Sequence, residues 1–517
     1  MDKIVILDFG SQSTQLIGRR IRQAGVYSEI VPGDQPLERI NLGGAKGIIL
    51  SGSPFSVYEP GAPGVDGRVY EQGLPVLGIC YGIQRLSADF GGAVASLGRK
   101  EYGRAKVQLD EPTPLFGRVP PGPFVSWMSH GDSVTEPPRG FRVIGRSDSG
   151  LSAVFVNEAR RMWGVQFHPE ASHTEHGQRI LEAFALDICG ARPEWNMERF
   201  FRAEREELAR RVGTRDVVLL ISGGVDSCVV AALLLRSLDP EQVHLMYIDT
   251  GLMREAESEE VLRSLAQLGA RHLYAVDASE KFYDALAGVT DPEEKRRIIG
   301  DLFIKVQEAE LGSRGIRNSF LAQGTLYTDL IESGKGVGTK AHVIKTHHNV
   351  RSPLVQAKRE EGMVIEPLSS LYKDEVRELG VTLGLAESIV RRHPFPGPGL
   401  AVRIVGDVTR EKCDLLRKAD ALYISELRAR GFYDRIWQAF CVLLPVRSVG
   451  VSGDMRKYGH VLALRAVASL DAITADVYPF PMADLLEISS LITNRIPEIG
   501  RVVYDVSSKP PATIEWE

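Results

Sequence analysis

The sequence predicts an α/β protein in which helices cover parallel sheets. Short runs rich in Val and Ile alternate with longer helical patterns, the signature of strand–helix–strand units. Many of these runs end in glycine-rich punctuation, as a strand does where it turns into a helix. The length, 517 residues, corresponds to about three domains at roughly 150 residues each.

The early strands are expected at Lys3–Phe9, Tyr27–Pro32, Gly47–Ser51 and Pro75–Cys80. Further strands follow at Arg104–Leu109, Phe141–Gly145, Ala153–Asn157 and Met162–Phe167, and a helix near Gly177–Ile188 closes the unit. Gly190-Ala191-Arg192-Pro193 reads as a linker, which sets a first domain at residues 1–191. A charged helix at Glu194–Arg211 opens the second. It continues with strands at Asp216–Ile221, Val243–Asp249, His272–Asp277, near Phe320–Gln323 and at Ala341–Thr346, and with a helix at Cys228–Leu238. The three prolines of His393–Gly399 remove backbone donors and exclude regular helix or central strand. A boundary there gives domains at 192–392 and 393–517. The last unit mixes helices with apolar strands such as Val461–Val467 and Arg501–Val506, and suits self-association.

Composition excludes several classes. Lys and Arg number 62 against 67 Asp and Glu, a net charge of -5, which disfavours a general nucleic-acid binder. The five cysteines are scattered without a CxxC pair, which argues against a disulfide framework or zinc ribbon and for a reducing compartment. No apolar run approaches the length of a membrane span, and no secretory leader is evident. A cytoplasmic protein without membrane partners is expected.

Gly78-Ile79-Cys80-Tyr81-Gly82 lies between a buried strand and a helix. Gly-x-Cys-x-Gly in that place is the thiol form of a nucleophile elbow, where small residues permit a sharp turn and the helix N-terminus favours thiolate. His168-Pro169-Glu170 at a strand end supplies a base and, two residues on along an extended chain, a carboxylate to orient it. The amide of Tyr81 and the glycine of Ser51-Gly52-Ser53-Pro54 are candidate oxyanion donors. With Trp127–Asp132, these residues resemble the class I glutamine amidotransferases over about the first 190 positions. The resemblance implies a flavodoxin-like domain in which Cys80 attacks the glutamine carboxamide, His168 shuttles the proton, Glu170 orients His168, and a glutamyl thioester releases ammonia.

The strand Asp216–Ile221, the loop Ser222-Gly223-Gly224-Val225-Asp226-Ser227 and an apolar helix form a phosphate site. No lysine follows the glycines, so it is not a Walker A loop. It resembles the loop of the ATP pyrophosphatases, which implies a doubly wound parallel-sheet domain that splits ATP between its α and β phosphates. Asp226 is a candidate for handling Mg²⁺. Thr250–Arg254 is a candidate wall for the adenine. Glu255–Glu260 reads as a solvated helix face, Gly334–Gly338 as a mobile lid, and Lys345–Asn349 as phosphate or lid contacts rather than a metal site.

An ammonia source fused to an adenylating site leaves several acceptors open, including a deamido-dinucleotide or a tRNA base. A non-catalytic glutamine or nucleotide sensor is disfavoured by the nucleophile. Gln323–Tyr327, Glu366–Leu368, Lys373–Arg377, Arg392–Leu400 and Lys509–Glu517 resemble the glutamine-hydrolysing GMP synthase family, in the same order along the whole chain. That resemblance implies xanthosine 5′-monophosphate (XMP) as acceptor and ATP with Mg²⁺. It also implies Lys373 at the ATP phosphates, Arg296, Arg403, Arg456, Lys509 and Glu515 at XMP, and a homodimer formed through a smaller α+β C-terminal domain. Pro510-Pro511 and a buried type of residue at Trp516 argue that the tail is ordered.

Overall fold

The computed structural model describes residues 1–11, 13–316, 319–332, 353–452, 455–469 and 474–517. The chain divides into two compact units, one holding Met1–Phe200 with the helix Tyr327–Glu332, the other holding Phe201–Leu326 and the described residues from Pro353 to Glu517.

The first unit is built on nine strands: β1 (Lys3–Asp8), β2 (Tyr27–Pro32), β3 (Ala45–Leu50), β4 (Val76–Ile79), β5 (Ala93–Leu109), β6 (Phe124–Glu136), β7 (Arg142–Ser147), β8 (Ser152–Asn157) and β9 (Met162–Val165). Their order is β2-β1-β3-β4-β9-β8-β7-β5-β6. The half from β2 to β9 is parallel; the half from β9 to β6 is antiparallel. β1 and β4 are almost entirely buried, as strands covered on both faces must be. Helices α1 (Thr14–Gln23), α2 (Tyr81–Asp89) and α3 (Gly177–Glu182) belong to this unit.

β6 was not expected as a strand. Its buried positions alternate regularly through Phe124, Ser126, Met128 and His130. Two of those four are polar, which erases the apolar alternation that reveals a strand.

The charged helix expected at 194–211 is α4 (Met197–Val212). The second unit then has a sheet of β10 (Val217–Ile221), β11 (Val243–Asp249), β12 (His272–Asp277), β13 (Phe320–Ala322) and β14 (Val364–Ile365), all parallel, in the order β12-β11-β10-β13-β14. The chain reverses its winding direction at β10, and the loop after that strand lies at the switch point where open parallel sheets bind ligands. Helix α5 (Val225–Ser237) follows the loop, and α6 (Glu257–Gln267) follows β11. A 22-residue helix, α7 (Pro292–Ser313), went unpredicted, although the Asp291 side chain caps it and Pro292 opens it.

The C-terminal part contains α8 (Lys373–Thr382), α9 (Arg410–Ala429) and α10 (Met482–Arg495), with strands β15 (Gln438–Ser452), β16 (Met455–Ala468), β17 (Asp476–Val477) and β18 (Ile499–Tyr504). One continuous core joins residues on both sides of the proline-rich segment, among them Leu252, Phe282, Leu400, Ile404, Leu416 and Tyr423. Gly399 is required at its place: φ is +63, and a Cβ there would lie 2.4 Å from the carbonyl oxygen of Leu252. Among the described residues no helix is long and apolar enough to cross a membrane.

Candidate active sites

In the first unit, Cys80 caps α2 with φ 53 and ψ -105, a strained conformation for a side chain other than glycine. The flanking glycines explain why it is held. A Cβ on Gly82 would lie 2.3 Å from the Leu50 carbonyl oxygen, and one on Gly78 would lie 2.7 Å from the Ile83 amide nitrogen. Only glycines let α2 pack this tightly on β3 and β4. The bend places the sulfur at the head of the helix, where backbone amides and the dipole favour an anion.

His168 and Glu170 follow β9. His168 Nδ1 lies 2.7 Å from Glu170 Oε1, and Glu170 is fully shielded from solvent. The backbone around them is knitted to β6: His168 N donates to the Trp127 carbonyl (2.9 Å), Trp127 N to Thr174 Oγ1 (2.9 Å), and Thr174 Oγ1 to the His168 carbonyl (2.7 Å). Burial works against a charged His168, but the Glu170 carboxylate and Cys80, which also hydrogen-bonds the ring, outweigh it and hold His168 well above the ordinary histidine value. The arrangement can keep an imidazolium beside a thiolate, the pairing that activates a cysteine.

Gly52 faces this group: a Cβ there would lie 3.4 Å from His168 Cε1. Tyr81, the first residue of α2, has no intrahelical acceptor for its amide. Gln84, one turn into α2, donates from Nε2 to the Asp132 carbonyl (2.9 Å), and the Ser129 carbonyl lies 3.8 Å from Cys80 Sγ. The stretch 129–132 therefore lines the approach to the sulfur.

In the second unit the loop after β10 is organised by its serines. Ser222 and Ser227 hydroxyls lie 3.2 Å apart, Ser227 Oγ donates to the Gly224 carbonyl (3.0 Å), and Gly223 has φ +80. Gly224 caps α5, which begins at Val225, so the helix N-terminus opens onto the loop. Lys373, at the start of α8, lies 2.8 Å from Asp226 through Nζ and Oδ2. A chain separation of 147 residues thus closes on one site. Asp226 Oδ1 is buried without a partner. A single carboxylate beside a phosphate cradle fits the way Mg²⁺ is held, by one or two carboxylates together with substrate phosphates. Among the described residues no group of three or more His, Cys, Asp or Glu forms a metal cage.

Sequence reasoning placed Arg392 in the Arg392–Leu400 motif but gave it no role. It is buried, donates to the Gly223 carbonyl (3.2 Å), and pairs with Glu257 and Glu260 at 2.7 Å each. The acidic run Glu255–Glu260 is therefore not simply a solvated face. Glu257 is 4% exposed because it neutralises an arginine that braces the phosphate loop. Leu252 of the expected adenine wall is committed to the core, its carbonyl accepting from Leu400 N. The expected lid at Gly334–Gly338 and the cluster Lys345–Asn349 lie outside the described residues.

The C-terminal tail gathers most of the other expected cations. Arg403 is fully buried between the rings of Phe395 and Phe440 and pairs with Glu515 at 2.8 Å, while Gln438 donates to the same carboxylate at 2.6 Å. Arg296 donates to the Glu517 carbonyl (2.5 Å), and Lys295 pairs with the Glu517 side chain. Lys509 exchanges backbone hydrogen bonds with Ala475. Arg456 stands apart, exposed on β16 opposite Val451. Trp516 is 40% exposed, against the expectation of burial, with Nε1 donating to Asp505.

Residues 5–188 match the family model for glutamine amidotransferase class-I, 199–296 that for NAD synthase, and 425–516 that for the GMP synthase C terminal domain. The chain is 50% identical over 519 residues to the GMP synthase (glutamine-hydrolyzing) of Nitratiruptor sp., covering 99% of both chains. It is 50% identical over 518 residues to that of Symbiobacterium thermophilum, covering 100% of this chain and 99% of the relative. It is 48% identical over 515 residues to that of Aquifex aeolicus, covering 99% of each.

Proposed function

The chain belongs to the glutamine-hydrolysing GMP synthase family, and on that premise we propose which of its residues carry each step. The family reaction hydrolyses glutamine to ammonia, adenylates XMP with ATP and aminates it to GMP, releasing AMP, pyrophosphate and glutamate.

Cys80 is the nucleophile toward the glutamine carboxamide. His168 gives its proton to the departing ammonia and later activates water against the thioester, with Glu170 holding the ring. The amides of Gly52 and Tyr81 meet the tetrahedral oxyanion. The observation that carries this reading is the strained Cys80 backbone, fixed by two glycines at the head of α2 beside a buried His168–Glu170 pair.

In the second unit Ser222, Gly223, Gly224, Val225, Asp226 and Ser227 cradle the ATP phosphates, and Lys373 supplies the cation that the loop lacks. Asp226 would hold Mg²⁺, which would supply charge neutralisation for the leaving pyrophosphate. The match to NAD synthase is confined to residues 199–296, which contain this loop; the C-terminal match is to GMP synthase. The acceptor is therefore read by the C-terminal part, through Arg403, Lys509, Glu515 and the outlying Arg456, joined by Arg296 from the preceding part.

The domain limits 1–191, 192–392 and 393–517 remain our functional division: amidotransferase, ATP pyrophosphatase, and a part that binds XMP and forms the dimer. Val449, Val451 and Tyr458 on the β15–β16 hairpin are at least half exposed, which supports a homodimer through this surface. The five free cysteines support a reducing, cytoplasmic setting.

Cys80→Ala is expected to abolish GMP formation from glutamine while leaving formation from ammonium salt. Loss of both in a folded protein overturns this division of labour.

A further inference from the structure

His130 lies on β6 with its ring turned inward, 4% exposed. Both ring nitrogens meet acceptors. Nδ1 lies 2.9 Å from the Asp132 carbonyl oxygen, and Nε2 lies 3.0 Å from Glu101 Oε2. The Asp132 carbonyl can only accept, so Nδ1 carries the proton that faces it. The other oxygen of Glu101 accepts the hydroxyls of Ser147 (2.8 Å) and Ser149. Burial pushes its carboxyl up, but His130 and the two serines outweigh burial and hold it down at about 2. Glu101 therefore stays a carboxylate, with Oε2 facing Nε2 of the ring.

The position of this pair gives it a consequence. Pairing of β5 with β6 is interrupted between Ser96 and Glu101, so the ladder skips a step opposite the segment 130–132. That same segment lines the approach to Cys80: the Ser129 carbonyl faces the sulfur, and the Asp132 carbonyl that accepts from His130 also accepts from Gln84. Gly131 alone lies opposite the extra residues of β5, and such a bulge disrupts the local ladder, so a side chain can decide where the neighbouring carbonyl stands.

We propose that His130 is a positioning residue for glutamine hydrolysis, a buried ring whose Nδ1–H pins the Asp132 carbonyl and with it the pocket wall 129–132. The role rests on the reading of Cys80 as nucleophile.

Two substitutions separate the two bonds. Asparagine places its amide nitrogen where Nδ1 stands, and glutamine places its own where Nε2 stands. His130→Asn keeps the Asp132 bond and His130→Gln keeps the Glu101 bond. In steady-state glutamate release by the full chain, His130→Gln is expected to raise the glutamine KM about tenfold, and His130→Asn by less than about threefold, since one net hydrogen bond separates them. Equal KM values for the two, or the reverse order, overturn the proposal. A merely structural role predicts equal losses, because each variant keeps one of the two bonds. Glu101→Gln preserves the packing, and its amide can donate to Nε2 and leave the Nδ1 proton on the Asp132 carbonyl; a glutamine KM within about threefold of the parent is expected there, a rise of about tenfold overturns the proposal, and this variant decides the matter if both His130 variants fail to fold. Glutamine hydrolysis that survives in Cys80→Ala refutes the underlying nucleophile assignment instead.

Discussion

Gly82→Ala isolates what the elbow does. The added Cβ would stand 2.3 Å from the Leu50 carbonyl oxygen and 2.8 Å from Leu50 Cβ. Leu50 is the last residue of β3 and fully buried, so it cannot yield, and the carbonyl is backbone rather than a flexible side-chain tip. Relief requires the start of α2 to move off β3 by about 1 Å to reach an ordinary van der Waals separation. That shift carries Cys80 and the Tyr81 amide together, away from His168, which is anchored separately to β6. A misplacement of about 1 Å costs on the order of 100-fold in rate, and the overpacking costs about 1–3 kcal/mol of stability in the first unit. Glutamate release should therefore fall by about two orders of magnitude, while GMP formation from ammonium salt holds. Gly64→Ala is the control, since a Cβ there meets nothing within 4 Å. Glutamine turnover within about threefold of the parent in a folded Gly82→Ala protein would show that helix placement does not set the nucleophile.

Three further outcomes follow from particular contacts. Glu170→Gln removes the carboxylate that keeps His168 charged against burial; removing an opposite charge lowers a histidine pKa by about 1–3, so the alkaline limb of the glutaminase pH profile should move to lower pH by that amount. An unmoved limb denies Glu170 this role. Glu515→Ala leaves Arg403 buried without its carboxylate, and denaturant titration should show the second unit losing about 3–5 kcal/mol, with a rise in the XMP KM; unchanged stability contradicts the buried pair. Val451→Glu, at a site 80% exposed, should shift light-scattering mass toward the monomer if the hairpin is the dimer surface, and an unaltered mass removes that surface from consideration.

The sheets of both units were largely legible because parallel strands buried on both faces are continuous apolar runs. β11 spans the expected residues, and β1 and β4 fall within theirs. The elbow and the phosphate loop were legible because backbone geometry forces their glycines. What escaped depends on partners far along the chain. Arg392 opens a motif, but what it does is hidden until Glu257 and Glu260 are seen around it. His130 and Ser126 sit at interior positions of β6 but are polar, so the strand that lines the nucleophile pocket went unassigned. The polar residues that give β6 its place beside Cys80 are the same ones that hid it.

The tail shows why charge rather than grease fixes some parts of this fold. Arg403, Arg465 and Lys295 are fully buried cations, and each is answered from the last residues of the chain. Glu515 pairs with Arg403. The carbonyls of Ile514 and Thr513 accept from Arg465. The Glu517 side chain meets Lys295. A tail held only by apolar contacts tolerates sliding, because such contacts are non-directional. Here a slip of one residue takes the Glu515 carboxylate from Arg403 and the Glu517 carboxylate from Lys295, and removing one partner from a buried ion pair costs about 3–5 kcal/mol. The register of residues 513–517 is thereby set by electrostatics. Ion pairs that add little net stability against an apolar replacement still exclude every neighbouring alignment, and a tail proposed to read a substrate needs that exclusion more than it needs stability.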